Sequence, residues 1–229
     1  MFESLRVPEP EVMDDSGEVE AYSSAAAQDY LNKIDDTFVA RALLLANRRE
    51  RGRALDIGTG PGQMIVKLAR HLTRWKFIGV DRSSHMIAEA AANLAAAGPE
   101  LAGRVEFQIA DANALPYPDA TFDLVVCNSV LHHMAEPERL LAEIARIAKS
   151  RGAVLVRDLR RPNRLVHSWH IRRHGRHYSG KMRELYEASV RAAYTIPELQ
   201  QLVESSRLAR VRLFNEPATH IGVERPLMP

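Results

Sequence analysis

The stretch ALDIGTGPGQ, residues 54–63, places glycines at 58, 60 and 62 directly after an aspartate, Asp56. Glycine reaches backbone conformations closed to other residues, so such a loop lets the main chain approach a ligand closely. The chemistry this allows is recognition. A carboxylate at Asp56 would repel a pyrophosphate but suits the ammonium group of an amino-acid-like ligand. The spacing also differs from the dinucleotide fingerprint, which needs a glycine where Gln63 stands, and this argues against a nicotinamide-dependent oxidoreductase. For the glycines alone, a tight turn without a ligand is the alternative reading.

Further residues narrow the ligand. Asp81, in GVDRS, lies about twenty residues past the glycines, where a strand-end carboxylate can accept both hydroxyls of a ribose. Asp111, in IADANALPYP, can accept the exocyclic amine of adenine, and Met86 can lay its thioether chain on a purine face. Taken singly these are a helix cap, a turn residue and a core methionine. Their joint occurrence at successive strand ends points to a nucleoside.

The elements that must position them follow from the pattern of apolar residues. Short β-type runs, RALDI (53–57), KFIGV (76–80), RVEFQI (104–109), FDLVVCN (122–128) and GAVLVRD (152–158), alternate with helical stretches at QMIVKLARHL, 84–97 and 137–149. Regular alternation predicts right-handed crossovers and a parallel sheet with helices on both faces. Residues 19–49 read as helix in two pieces, broken near Asp35 and Asp36. TIPELQ carries a helix start, with Thr195 as N-cap and Glu198 three residues later. RVRLF (210–214) and THIGVE (219–224) are separated only by NEPA, too short for a crossover, and are expected to pair as an antiparallel hairpin.

With these residues in place, the sequence resembles the class I S-adenosylmethionine-dependent methyltransferases, in particular the small-molecule branch similar to the ubiquinone and menaquinone biosynthesis methyltransferases. The resemblance spans roughly residues 36–224 and rests on ALDIGTGPGQ, GVDRS with Met86, IADANALP and FDLVVCNSVLHH. It implies a Rossmann-like α/β fold with a seven-stranded, mostly parallel sheet whose last strand is inserted antiparallel. It implies that S-adenosyl-L-methionine is the cofactor and S-adenosyl-L-homocysteine the product. Asp56, Gly58, Gly60 and Gln63 would surround the methionyl part, Asp81 and Arg82 the ribose, and Asp111 with Ala112 the adenine. Asn128 and Ser129 match the segment that touches the methionine moiety. The whole chain, 1–229, is then expected to be a single methyltransferase domain. Residues 1–49 would form a helical N-terminal lid, 50–160 the cofactor-binding core, 161–194 a basic helical substrate cover, and 195–229 the closing helix and hairpin.

Methyl transfer from a sulfonium is an in-line displacement with a neutral thioether leaving, so alignment and exclusion of water are the main tasks and no metal is required. An oxygen or nitrogen acceptor would gain from a general base. His132 and His133, after the fourth strand, are the first candidates, because imidazole titrates near neutral pH. Asp158, at the end of the fifth strand, is the second, with an ion pair to Arg160 or Arg161 as its structural alternative. Tyr22 or Tyr30 of the N-terminal region is expected to reach over the cofactor.

Arginines and histidines crowd residues 157–183, while acids crowd the first twenty. Arg160 and Arg161 are candidates for binding an anionic small-molecule substrate. Trp169 and Tyr178 among the arginines leave nucleic acid as the other reading, an RNA methyltransferase, and a solvated helix facing the acidic leader is the structural one. His167, His170, His174 and His177 share a helix face but lack a cysteine or carboxylate partner, so no metal is expected there. Cys127, the single cysteine, sits in an apolar run and reads as an inert thiol. No stretch approaches the roughly 18 apolar residues of a membrane span, and the acidic N-terminus has no signal core, so the expected compartment is the cytoplasm. A non-catalytic S-adenosylmethionine-binding protein would share every cofactor motif. The acceptor and the oligomeric state are not specified by these patterns.

Overall fold

The computed structural model describes residues 5–9, 25–46, 49–216 and 219–228, with side chains of its first helix described from residue 32 onward. Seven strands form one sheet: β1 (Arg53–Ile57), β2 (Lys76–Asp81), β3 (Val105–Ile109), β4 (Phe122–Asn128), β5 (Ala148–Leu159), β6 (Arg212–Glu216) and β7 (His220–Arg225). Their order is β3-β2-β1-β4-β5-β7-β6. The first five run parallel, and β7 lies antiparallel between β5 and β6. The expected hairpin is therefore present, with β7 inserted as the resemblance implied.

The sheet is apolar on both faces because both are covered. In β4, Leu124 and Val126 face one core while Val125 and Cys127 face the other. The first core receives Phe38 and Ala42 of α1 (Ala25–Ala46) and Ile65 and Leu68 of α2 (Gln63–His71). It also takes Leu94 of α3 (Ser84–Ala97) against it. The second receives Leu140, Ile144 and Ile147 of α4 (Pro137–Ile147) and Leu199 and Leu202 of α7 (Ile196–Ser205). Between β5 and α7 lie α5 (His167–His174) and α6 (Gly180–Ala192). Thr195 and Glu198 form the expected capping box at the start of α7. Burial pushes the Cys127 thiol well above its ordinary value, in keeping with an inert core residue.

Two expectations are corrected. α1 runs unbroken through Asp35 and Asp36, because tertiary cations accommodate those charges inside the helix. Lys67 of α2 bonds Asp36 at 2.7 Å, and Lys67 and Arg157 both act on Asp35. β5 begins at Ala148 rather than Gly152, directly after α4 ends at Ile147, with a register irregularity opposite Phe122 to Leu124. The carboxyl ends of β1, β2 and β4 lie side by side, and the chain leaves β1 toward β2 while β4 pairs its other edge. Open parallel sheets bind ligands at such a switch point.

Candidate functional site

At this switch point the loop after β1 folds onto the end of β2: the amides of Gly58 and Thr59 both donate to the Val80 carbonyl, at 2.8 and 2.9 Å. The Gly60 amide donates to Asp81 Oδ2 at 2.9 Å, and the Ser83 amide to Asp81 Oδ1 at 3.0 Å. One carboxylate thus ties the glycine loop to the start of α3. The glycines serve different needs. A Cβ on Gly62, at φ +75°, would meet Phe107 at 2.5 Å, so Gly62 is required for packing. A Cβ on Gly60, at φ +51°, would meet nothing within 4 Å, so its backbone faces open space.

That space is a cavity lined by Gly58, Gly60, Gln63, Asp81, Arg82, Met86, Asp111, Ala112, Asn128 and Ser129, with His132 and His133 farther along its wall. Asp111 Oδ1 accepts the Asn113 amide at 2.9 Å, and Asn128 Oδ1 accepts Arg157 Nε at 2.8 Å. Ser129 holds a left-handed backbone at φ 57°, which its amide bond to the Arg157 carbonyl at 2.9 Å helps maintain.

Asp56 is placed differently from the expectation. Its carboxylate lies behind the cavity wall, where Oδ2 accepts the Thr59 hydroxyl at 2.8 Å and Oδ1 has no hydrogen-bond partner among the described residues. Burial, reinforced by the charges of Asp81 and Asp35 and opposed by the Thr59 bond, pushes it up to about 7. Asp35 itself lines the cavity from α1, and burial raises it to about 6 against the pull of Lys67 and Arg157. These acids converge on one end of the cavity, an arrangement that a cationic ligand relieves.

His132 is 2% exposed. Its Nδ1 lies 2.5 Å from Asp158 Oδ1, and its amide donates to Asp158 Oδ2 at 2.9 Å. Asp158 thus pairs with His132 rather than with Arg160 or Arg161, which corrects the alternative drawn from sequence. Burial works against the imidazolium, but the Asp158 charge and hydrogen bond outweigh it and raise His132, while the same contact holds Asp158 low against its own desolvation.

Arg160 and Arg161, candidates for holding a substrate, do not line the cavity. Arg160 bonds Asn215 Oδ1 at 3.0 Å. Arg161 is buried, bonding the Ala193 carbonyl and Glu198 Oε1, both at 2.5 Å, so it fastens α6 to the capped start of α7. Arg172, Arg173, Arg176, Lys181 and Arg183 are exposed and also lie off the cavity wall. Tyr22 lies outside the described residues, as does the side chain of Tyr30.

The wall opposite the glycines comes from residues not read as site residues: Tyr178, Met182, Leu185, Tyr186 and Ser189, with Ile34 of α1, Thr219 and the first residue of β7, His220. Their signal was the four- and three-residue spacing from Tyr178 to Ser189, one apolar face of α6 hidden among the arginines. Tyr186 is anchored by its hydroxyl, 3.4 Å from His170 Nε2. Trp169, the other stacking candidate, is 58% exposed. No described helix is long and apolar enough to cross a membrane.

Comparison with known proteins agrees with this geometry. Residues 55–156, from β1 to β5, match the methyltransferase domain family. The chain is 30% identical over 144 residues to the ubiquinone/menaquinone biosynthesis C-methyltransferase UbiE of Geobacter sulfurreducens, covering 60% of this chain and 56% of that one. It is 31% identical over 137 residues to a phosphatidylethanolamine N-methyltransferase of Cereibacter sphaeroides, covering 59% and 64%. The match therefore spans little more than half the length of these relatives. Among solved structures, a SAM-dependent methyltransferase from Aquifex aeolicus superposes with a TM-score of 0.62 at 20% identity, covering 94% of this chain and 95% of that one. The glycine loop tied to a strand-end aspartate, the strand order with an inserted antiparallel β7, and these relatives point the same way: from β1 to β5 the chain matches the methyltransferase domain family, and it is similar to class I S-adenosylmethionine-dependent methyltransferases.

Proposed function

We propose that this protein, as a single domain, transfers the methyl group of S-adenosylmethionine to a small, largely apolar acceptor. The observation that carries the reading is the continuity of one cavity. One end has the glycine loop, Asp81 and Asp111, and the other has an apolar and aromatic wall beside two imidazoles.

The residues present suit the cofactor. Gly60 leaves open space at the loop, Asp56 keeps a buried oxygen without a hydrogen bond, and Asp35 and Asp56 are held protonation-prone by burial, Asp56 also by the charges of Asp81 and Asp35. S-adenosylmethionine supplies an electrophilic methyl group on a sulfonium that leaves as a neutral thioether. In this reading Asp81 accepts the ribose hydroxyls with Arg82 beside it, and Asp111, Ala112 and Met86 border the adenine. Gly58, Gly60, Gln63, Asn128 and Ser129 enclose the methionyl part. Asp35 and Asp56 balance positive charge, the latter from behind the wall.

Tyr178, Met182, Leu185 and Tyr186 hold the acceptor and exclude water, so that alignment accounts for most of the rate. For a hydroxyl or amine acceptor, His132 Nε2 is the proton acceptor, with His133 next to it. Asp158 is a positioning residue that keeps the His132 ring turned. The relatives are named for carbon and nitrogen acceptors, so the acceptor atom is taken from the cavity, whose protic end is this histidine pair.

Calorimetric titration with S-adenosylhomocysteine tests the cofactor assignment. Micromolar binding, weakened about tenfold or more by Asp81→Ala, about 1.4 kcal/mol, is expected. Folded protein that binds none of this ligand would overturn the reading.

A further inference from the structure

Beside the acceptor end of the cavity, residues 6–9 cross the 3₁₀ turn Leu131–His133 as a strap. The Val7 amide donates to the Arg191 carbonyl at 3.1 Å, and the Arg6 guanidinium donates to the carbonyls of Ala192 at 2.6 Å and His132 at 3.0 Å. These bonds fix where Glu9 falls. Its Oε2 lies 3.8 Å from His132 Nε2 and 3.7 Å from His133 Nδ1, and the three atoms all lie within 4.8 Å of one another.

We propose that Glu9, His132 and His133 bind a divalent first-row metal ion, zinc being the best match. Two imidazoles and one carboxylate are a recurrent protein ligand set for catalytic zinc, with the fourth position left for water or substrate. Ligand atoms bound at about 2.0–2.1 Å in a tetrahedron stand about 3.3 Å apart, so the two measured edges need to shorten by only about half an ångström. The His132 side of the site is already prepared. With Nδ1–H donating to the Asp158 carboxylate, the Nε2 lone pair is left for the metal, and this carboxylate–histidine arrangement is the usual support behind a metal-bound imidazole. His132 Nε2 is buried without a hydrogen bond among the described residues, and the nearest carboxylate oxygen is that of Glu9. Among the described residues only Glu9, His132 and His133 converge in this way.

Both imidazoles line the cavity, so the fourth ligand comes from it. Only one carboxylate, Glu9, is a direct ligand, with Asp158 behind His132, so an oxygen donor suits the fourth position. The use of the site rests on the methyl-transfer reading, although its occupancy does not. An acceptor hydroxyl taking the fourth position loses its proton to solvent near neutral pH, as metal-bound water does. Its oxygen then forms the new bond to the methyl carbon as the sulfur–methyl bond breaks and its electron pair stays on sulfur. With metal bound, His132 is a ligand rather than a base, and the metal's lowering of the hydroxyl pKa lets the proton pass to solvent instead.

The test uses untagged full-length protein stripped with EDTA and dialysed against micromolar zinc. One equivalent of zinc is expected by atomic emission, and cobalt substitution should give the intense visible bands of a four-coordinate site. Glu9→Gln and His133→Ala should each lower zinc affinity about tenfold or more, and Asp158→Asn, which changes only the supporting carboxylate, about tenfold to a hundredfold. S-adenosylhomocysteine titration of the same samples reports whether each variant keeps its cavity. Failure to take up zinc while that ligand still binds would overturn the proposal and leave the cofactor reading intact. Zinc uptake unchanged by Glu9→Gln and His133→Ala but lost in His174→Ala would also overturn it, by placing the metal on α5.

Discussion

Asp56→Asn probes how the cavity handles charge before any ligand arrives. Asp56 is 1% exposed, and burial, with Asp81 and Asp35 adding to it, pushes its carboxyl from 3.8 up to about 7. A carboxyl raised in the folded state contributes its full stability below the unfolded pKa and loses it as pH rises through the folded value. The window here runs from about pH 4 to about pH 7, and the displacement corresponds to about 4 kcal/mol across it. Asparagine keeps the shape and an acceptor for Thr59 but cannot ionise, so the variant lacks this slope. Urea unfolding of both proteins at several pH values gives a difference curve in which the other titrating groups largely cancel. Relative to the variant, the wild type should lose about 4 kcal/mol as pH climbs from about 4 to above 7. S-adenosylhomocysteine, which carries an ammonium group, favours ionised Asp56. Its binding near neutral pH should therefore release protons in the wild type and fewer in the variant, measured by calorimetry in buffers of different ionisation heat. Parallel stability curves and equal proton release would refute the account of a buried, charge-frustrated aspartate.

Gly62→Ala should destabilise the fold by about 2–4 kcal/mol, combining a left-handed backbone with a Cβ pressed against Phe107, and chemical denaturation measures it. Arg161→Ala should cost about 2–3 kcal/mol in the same assay, because the Ala193 carbonyl and Glu198 lose a charged partner, while S-adenosylhomocysteine affinity stays near that of the wild type. Replacing Arg172, Arg173 and Arg176 together by glutamine should leave cofactor binding unchanged, since all three are exposed and lie off the cavity wall. A large drop in affinity by calorimetry would place the basic cover at the site after all.

The strands, the glycine loop and the aspartates that follow the strands into the cavity were legible in the sequence because they depend on local order. Apolar runs alternate with amphipathic helices, and Asp81 and Asp111 follow their strands directly. NEPA was too short to cross the sheet, which left β6 and β7 only one way to pair. Asp56 shows the limit: its motif was plain, but its place behind the wall depends on Thr59, Asp81 and Asp35 arriving together.

The end of the cavity beside His132 and His133 was decided by tertiary structure alone. Asp158 stands beside arginines in sequence yet bonds His132 across 26 positions, and Glu9 reaches the same histidine from near the start of the chain. Asp35 reads as a helix break until Lys67 and Arg157 stand next to it. The arginines dominate residues 157–183 in composition, but the face of α6 that meets the cavity is apolar, because removing apolar surface from water orients that helix and leaves its charges outside. Sequence by itself determined the sheet and the glycine loop, whose geometry follows from neighbours along the chain. Which acids, imidazoles and aromatics meet at the far end of the cavity was set by packing between elements distant in sequence, where burial and charge rather than spacing choose the partners.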